Sequence, residues 1–256
     1  MVGSIFARVE HIQETTAGNR QMTSLRSWVF ATAAVAMTGA AQAAFIDRGG
    51  GMIYDTTRNI TWLADMNYAF TSGYAAANLG GSGTDAIYAD GRMGWGAANT
   101  WANGLVYGSF DDWRMPTVNP HDTTCSYSYP TGGSLEYYGY NCTDGELSNL
   151  FVVGFGGGPG ESFPSQTADT PEQIANLSLF SNAQSLGYWS GTEVGWNPIQ
   201  AWTFDAGFQG QFVKASELFP LHVLAVRAGD VPEPQALALA LLALGATVVV
   251  RSGRPS

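Results

Sequence analysis

The residues able to do chemistry are few and of recognisable types. Cys125 and Cys142 are the only two cysteines among the 256 residues. They can serve as thiolate nucleophiles, metal ligands or the halves of one disulfide, and the redox compartment decides which. Asp122, Asn141, Asp144 and Glu146 cluster around them in sequence. Oxygen donors of this kind in flexible loops would suit calcium better than any other metal, although the twelve-residue loop of an EF-hand is missing. A solvated acidic loop is the plainer reading of the same residues. Zinc is not supported, because no third and fourth ligand stands at a regular spacing from the cysteines. His121 and His222 lie outside any Gly-x-Ser-x-Gly pattern, and Asp111-Asp112 are adjacent residues whose carboxylates point apart, unlike a glycosidase pair. No cofactor is called for. The remaining candidate is Glu193-Val194-Gly195-Trp196-Asn197-Pro198, where a tryptophan in a turn-rich stretch could stack on a sugar ring while Glu193 and Asn197 bond its hydroxyls; a tryptophan folded back over the core is the plainer reading.

Both ends of the chain bear on the compartment. Arg26 precedes an apolar stretch from Trp28 to Met37, and Ala41-Gln42-Ala43 offers the small-x-small pattern of a signal-peptidase site. Cleavage is expected after Ala43. Residues 1–21 are polar and mixed in charge, so Met22 is the more sensible start of such a leader. At the other end Pro232-Glu233-Pro234 is followed by a run rich in alanine, leucine and valine from Ala236 to Val250, closed by Arg251 and Arg254. As a helix this run would span roughly 22 Å, short of a comfortable membrane crossing, with its arginines on the cytoplasmic side. Export places Cys125 and Cys142 in an oxidising compartment, where a disulfide is expected.

The span left between the processed ends, Ala44 to Asp230, is one domain's length. It holds six bases, Lys214 its only lysine, against eighteen acids, a net −12. That balance excludes nucleic acid, whose phosphates need clustered Lys and Arg. It also argues against holding acidic polysaccharides by charge alone.

Within this span, Met52–Asp55 and Ile60–Leu63 alternate around a polar turn and predict a β-hairpin. Residues 66–87, rich in Gly, Ala, Ser and Asn, predict a long surface loop. Asp90 is a plausible N-cap for a helix from Met93 to Leu105, with Met93, Ala97, Trp101 and Leu105 as one stripe and Gly104 as its stop. Residues 125–142 read as a Tyr- and Gly-rich loop, and Glu146–Phe151 as a short helix. Residues 188–190, 200–204, 210–213 and 222–226 read as late strands. Together they predict an α+β domain. Trp62, Trp101, Trp113, Trp189 and Trp202 are expected in the core, and Arg114 beside a carboxylate, with Glu146 or Asp112 as the candidates. Arg227 invites the same structural reading.

Two resemblances follow from these residues. The Pro232-Glu233-Pro234, apolar run and terminal arginines resemble the PEP-CTERM sorting signal, which implies processing by a bacterial exosortase after transient anchoring in the inner membrane; a plain C-terminal anchor is the alternative. Asp55-Thr56-Thr57-Arg58-Asn59-Ile60-Thr61-Trp62, Ala97-x-x-x-Trp101-x-x-x-Leu105, Asp112-Trp113-Arg114-Met115-Pro116-Thr117, Glu146-Leu147-x-x-Leu150, Tyr188-Trp189-Ser190-Gly191-Thr192, Ala201-Trp202-Thr203-Phe204-Asp205 and Ala225-Val226-Arg227, in that order, resemble the Lcl C-terminal domain family. The family is bacterial, extracellular and C-type-lectin-like. This resemblance implies a non-catalytic surface or matrix module, for some members glycan-binding. The Glu-Pro-Asn and Trp-Asn-Asp triplets of calcium-dependent lectins are missing. An enzyme on a lectin-like scaffold, which would use reactive cysteines, and a purely structural matrix protein are the competing readings.

Overall fold

The computed structural model describes residues 45–231 apart from 166–169, 198 and 216–217. The predicted signal-peptidase site and leader, the Pro232-Glu233-Pro234 motif, the apolar run and Arg251 and Arg254 all lie outside the described residues. Among the described residues no helix is long and apolar enough to cross a membrane.

The described chain is α+β, with two antiparallel sheets. The first is built from β1 (Phe45–Asp47), β2 (Met52–Asp55), β3 (Ile60–Leu63) and β9 (Val226–Ala228), in that spatial order. The second runs in the order β4 (Tyr127–Thr131), β5 (Ser134–Tyr140), β8 (Gly210–Ala215), β7 (Gln200–Asp205) and β6 (Gly187–Glu193). Short helices fill the connections: α1 (Tyr68–Thr71), α2 (Tyr74–Ala77), α3 (Trp95–Asn103), α4 (Glu146–Ser148), which widens into a π-type turn over Asn149–Gly154, and α5 (Pro171–Ser178).

The β2–β3 hairpin forms in the expected register, Met52 opposite Leu63 and Asp55 opposite Ile60. Its turn is held by Asp55, whose Oδ1 accepts from the Thr57 N–H and hydroxyl and from the Arg58 N–H. Successive strand residues point to opposite faces, and here both faces are covered. Ile60, Trp62, Tyr188, Trp202 and Phe204 enter one core cluster with Phe151 and Phe155. Leu63, Trp189 and Ala201 enter a second with Met93, Trp101 and Trp113 from α3 and its flanks. The five tryptophans expected in the core are all buried.

Several elements differ from their sequence reading. α3 starts at Trp95 behind Gly94, and Asp90 instead closes a turn onto Arg92. Gly94 is the extended N-cap, and it lies so close to the backbone of Gly83 and Thr84 that a Cβ there would collide with it. Met93, Ala97 and Trp101 do form the buried stripe, with Leu105 partly buried against it and Gly104 as the C-cap. Residues 66–87 are not merely a surface loop, because α1 and α2 bury Ala69 and Ala75. The Cys125–Cys142 segment is the β4–β5 hairpin. Of residues 222–226 only Val226 belongs to a strand; His222 makes a single bridge with Tyr188, and Val223, Leu224 and Ala225 are buried in irregular backbone.

The conspicuous motifs hold one another. Arg114 exchanges backbone bonds with Val226 at 2.8 and 2.9 Å. Its guanidinium takes both oxygens of Glu146, at 2.8 and 2.6 Å. Arg227 makes a bidentate pair with Asp112 at 2.8 and 3.0 Å and lies 4.0 Å from the Phe110 ring centroid. Val118 N–H donates to the hydroxyls of Ser190 and Thr192.

Candidate ligand-binding surface

The second sheet ends in a hairpin whose side chains suit recognition. β4 and β5 pair from Tyr127–Tyr138 to Thr131–Ser134, closed by Gly132-Gly133, both at positive φ, as a two-residue turn requires. The base of the hairpin is fixed twice. Cys125 and Cys142 form a disulfide, and no free cysteine remains. Asp122, buried beside it, accepts the Thr124 N–H on one oxygen and the Thr143 and Asp144 N–H groups on the other, at 2.9, 2.7 and 2.8 Å. Burial pushes the Asp122 carboxyl up, but these bonds and the Thr124 hydroxyl outweigh it and hold the group below the usual carboxylate range.

Along the hairpin runs a row of rings in mutual contact. Trp196 meets Tyr129 at 6.0 Å between centroids, Tyr129 meets Tyr138 at 5.4 Å, and Tyr138 meets Tyr127 at 5.5 Å. Tyr127 then meets Tyr140 at 6.4 Å, and Tyr140 meets Phe212 of β8 at 6.1 Å. Gly139 makes room for this packing; a Cβ there would come within 2.5 Å of the Tyr127 ring. Trp196 is 49% exposed and Tyr127 52%, so the row is open to solvent at both of these rings.

One carboxylate sets the geometry of the Trp196 end. Glu136, buried on β5, accepts the Tyr129 hydroxyl at 2.7 Å and the Trp196 indole N–H at 3.1 Å on the same oxygen, Oε2. Burial, reinforced by the hydrogen bond to Glu136, raises the Tyr129 phenol well above its ordinary pKa. The phenol therefore stays protonated and both rings are held edge-on to the same acid. Three open cavities follow the row. One of 210 Å³ lies between Trp196 and Pro130–Gly132, one of 240 Å³ between Trp196, Tyr138 and Phe212, and one of 520 Å³ over Phe212, Phe208 and Phe219.

The residues singled out from sequence are placed as follows. Trp196 is at the surface, but the carboxylate beside it is Glu136. Glu193 ends β6, exposed and opposite Ala201. Asn197 spends its amide locally, Nδ2 on Gln200 Oε1 and Oδ1 accepting from the Ile199 N–H. The three carboxylates considered for calcium each have their own protein partners, and Asn141 is held through its amide nitrogen. Asp122 receives the backbone bonds above, Glu146 holds Arg114, Asp144 takes Arg58 and Asn119, and Asn141 donates to Ser126. Among the described residues one group of three His, Cys, Asp or Glu ligand atoms falls within 4.8 Å, Asp122 with Cys125 and Cys142, and its sulfurs are joined to each other.

Sequence reasoning missed Glu136 and the tyrosine row. The signal was present as Tyr127-x-Tyr129 and Tyr138-x-Tyr140, period-two pairs flanking Gly132-Gly133, which is a hairpin pattern with one aromatic face. Compared with protein-family models, curated proteins and solved structures, the chain matches none.

Proposed function

We propose that this chain is an exported, non-catalytic cell-surface or extracellular-matrix module that binds glycan through the aromatic row of its disulfide-closed hairpin. Aromatic faces stack on the apolar faces of sugar rings, and the fixed N–H, hydroxyl and amide groups at their edges satisfy sugar hydroxyls. The observation that carries the reading is Glu136 holding Trp196 and Tyr129 by one oxygen. It presets the exposed Trp196 ring against the half-buried Tyr129, which lowers the ordering cost of a weak, repetitive ligand.

The fold is read as C-type-lectin-like and the family as that of Lcl C-terminal domains. Support comes from the mutual contacts of the resembling motifs. Export through signal peptidase, transient inner-membrane anchoring and exosortase processing are read from the two ends of the chain, and the disulfide supports an oxidising destination. Two measurements test this function. Mass spectrometry of protein recovered from medium and membranes should find a mature N-terminus at Ala44 and a C-terminus near Pro232–Pro234. Sedimentation with insoluble polysaccharides should retain the mature protein and release Trp196→Ala. An intact tail held in membranes refutes the processing route, and a folded protein retained by no polysaccharide refutes glycan binding.

A further inference from the structure

The three cavities along the aromatic row are contiguous. Trp196 and Tyr129 line both the first and the second. Gln200, Phe212 and Val213 line both the second and the third. From this continuity we infer that the surface takes an internal stretch of a linear, uncharged polysaccharide, one sugar ring per cavity across three consecutive subsites. The inference rests on the glycan reading above and adds to it the shape and charge of the ligand.

The third cavity is the outermost subsite. Phe208, in the β7–β8 turn, is 57% exposed and Phe219 is 48% exposed, two ring faces at its rim with no assigned role in the core. Between them Lys214 Nζ lies 3.1 Å from Asp205 Oδ2 and 5.6 Å from the Phe219 centroid. Lys214 and Asp205 are the only charged residues lining the three cavities among the described residues, and they neutralise each other. A uronate or sulfated chain would therefore find no unpaired cation there, within a module that carries −12 between Ala44 and Asp230. A neutral chain meets ring faces, an amide at Gln200 and a paired donor and acceptor at Lys214 and Asp205. All three cavities are open along the surface, which suits a chain passing through and not an end held in a closed pocket.

The test is titration calorimetry of the mature protein with linear neutral glucans (β-1,4, β-1,3 and α-1,4) of one to six rings, with oligogalacturonate of matched length as the charged comparison. For at least one linkage, affinity should rise about tenfold or more from two to three rings and then level off, and oligogalacturonate should bind more weakly. The double variant Phe208→Ala, Phe219→Ala should lose the gain with length; both residues are at the surface, and an unchanged melting curve confirms the fold. Trp196→Ala should weaken every length. Equal affinity at two and six rings, full length dependence in the double variant, or tighter oligogalacturonate binding each overturns this inference while leaving glycan binding intact. Absence of binding by every glucan and by polysaccharide overturns both.

Discussion

Arg114 and Glu146, thirty-two residues apart, meet through two parallel hydrogen bonds, Nη1 to Oε2 at 2.8 Å and Nη2 to Oε1 at 2.6 Å. Oε2 also accepts the Thr117 N–H at 2.8 Å. The pair thus fastens the chain entering Pro116 to the first turn of α4. Burial pushes the Glu146 carboxyl up, but the Arg114 bonds and charge and the Thr117 N–H outweigh it and leave the group below its usual range. A fork-shaped guanidinium is the side chain that fits both oxygens.

Glu146→Gln should destabilise the protein. A wholly buried pair broken on one side costs about 3–5 kcal/mol. The Arg114 side chain is 37% exposed, and water can take up its charge, so about 2 kcal/mol is expected, read from urea melts at neutral pH. Arg114→Lys should lose less but never recover the wild-type value. Because the folded-state pKa of Glu146 is lowered, its contribution is present above the unfolded carboxylate pKa and is lost as pH falls through the folded one. Wild type and Glu146→Gln should converge in acid.

Reduction of the Cys125–Cys142 bond should cost about 3 kcal/mol in the chain-entropy view, the loop spanning a sequence separation of 17. Asp122 would still tie Thr124 to Thr143 and Asp144, so the damage should stay within β4–β5. Hydrogen exchange should quicken across Tyr127–Tyr140 and stay slow in β2–β3. Exchange rising equally in both sheets would show that the hairpin is not a separable unit.

His222 should make the fold sensitive to mild acid. Burial lowers its pKa to about 4, with Arg92 adding to the effect and Asp90 opposing it, and its Nδ1 has no hydrogen-bond partner. The unfolded chain takes up a proton near the ordinary histidine pKa of about 6.5, while the folded chain resists down to about 4. Stability should therefore fall as pH drops through that window, by on the order of 3 kcal/mol. His222→Gln should flatten this part of the pH–stability curve. An unchanged slope in that variant would mean that other groups set the acid limit.

What could be read from the sequence was local or carried by size. The β2–β3 hairpin was legible because alternation and turn residues agree within twelve residues, and the five tryptophans because so much apolar surface is costly to leave in water. Arg114 and Glu146 could be matched because the short list of acids near the motif left two choices, and the structure gives the other, Asp112, to Arg227. α1 and α2 were not legible. Their Tyr-Ala-Phe-Thr and Tyr-Ala-Ala-Ala segments are too short for a helical period, and burial of Ala69 and Ala75 is a tertiary effect. Asp122, Asp144 and Glu146 looked like one oxygen cluster because they are close in sequence, but backbone N–H groups and arginines claim each separately. The Trp196 site was half legible: an exposed ring in a turn shows in sequence, whereas its partner Glu136, sixty residues earlier, is brought to it only by the second sheet.

The Glu136–Trp196–Tyr129 clamp separates binding from stability. Trp196 is half exposed, and its removal takes away one edge contact with Tyr129 and one hydrogen bond, so Trp196→Ala should shift the melt by less than about 1 kcal/mol. The same substitution should weaken glycan retention by about 1–2 kcal/mol, roughly tenfold, as expected for an aromatic anchor that lines two of the three cavities. Trp196→Phe should retain part of the affinity, because a ring face remains while the N–H to Glu136 does not. Glu136→Ala should be the more damaging variant for the fold: it leaves the Tyr129 hydroxyl and the Trp196 N–H without their acceptor and opens a cavity under β5. Binding assays paired with thermal melts decide the matter. If Trp196→Ala costs stability and binding in equal measure, Trp196 is a packing residue and the recognition surface lies elsewhere. If only binding falls, Trp196 is a recognition ring that the core does not need, and a partial loss in Trp196→Phe then measures what the N–H to Glu136 adds by positioning it.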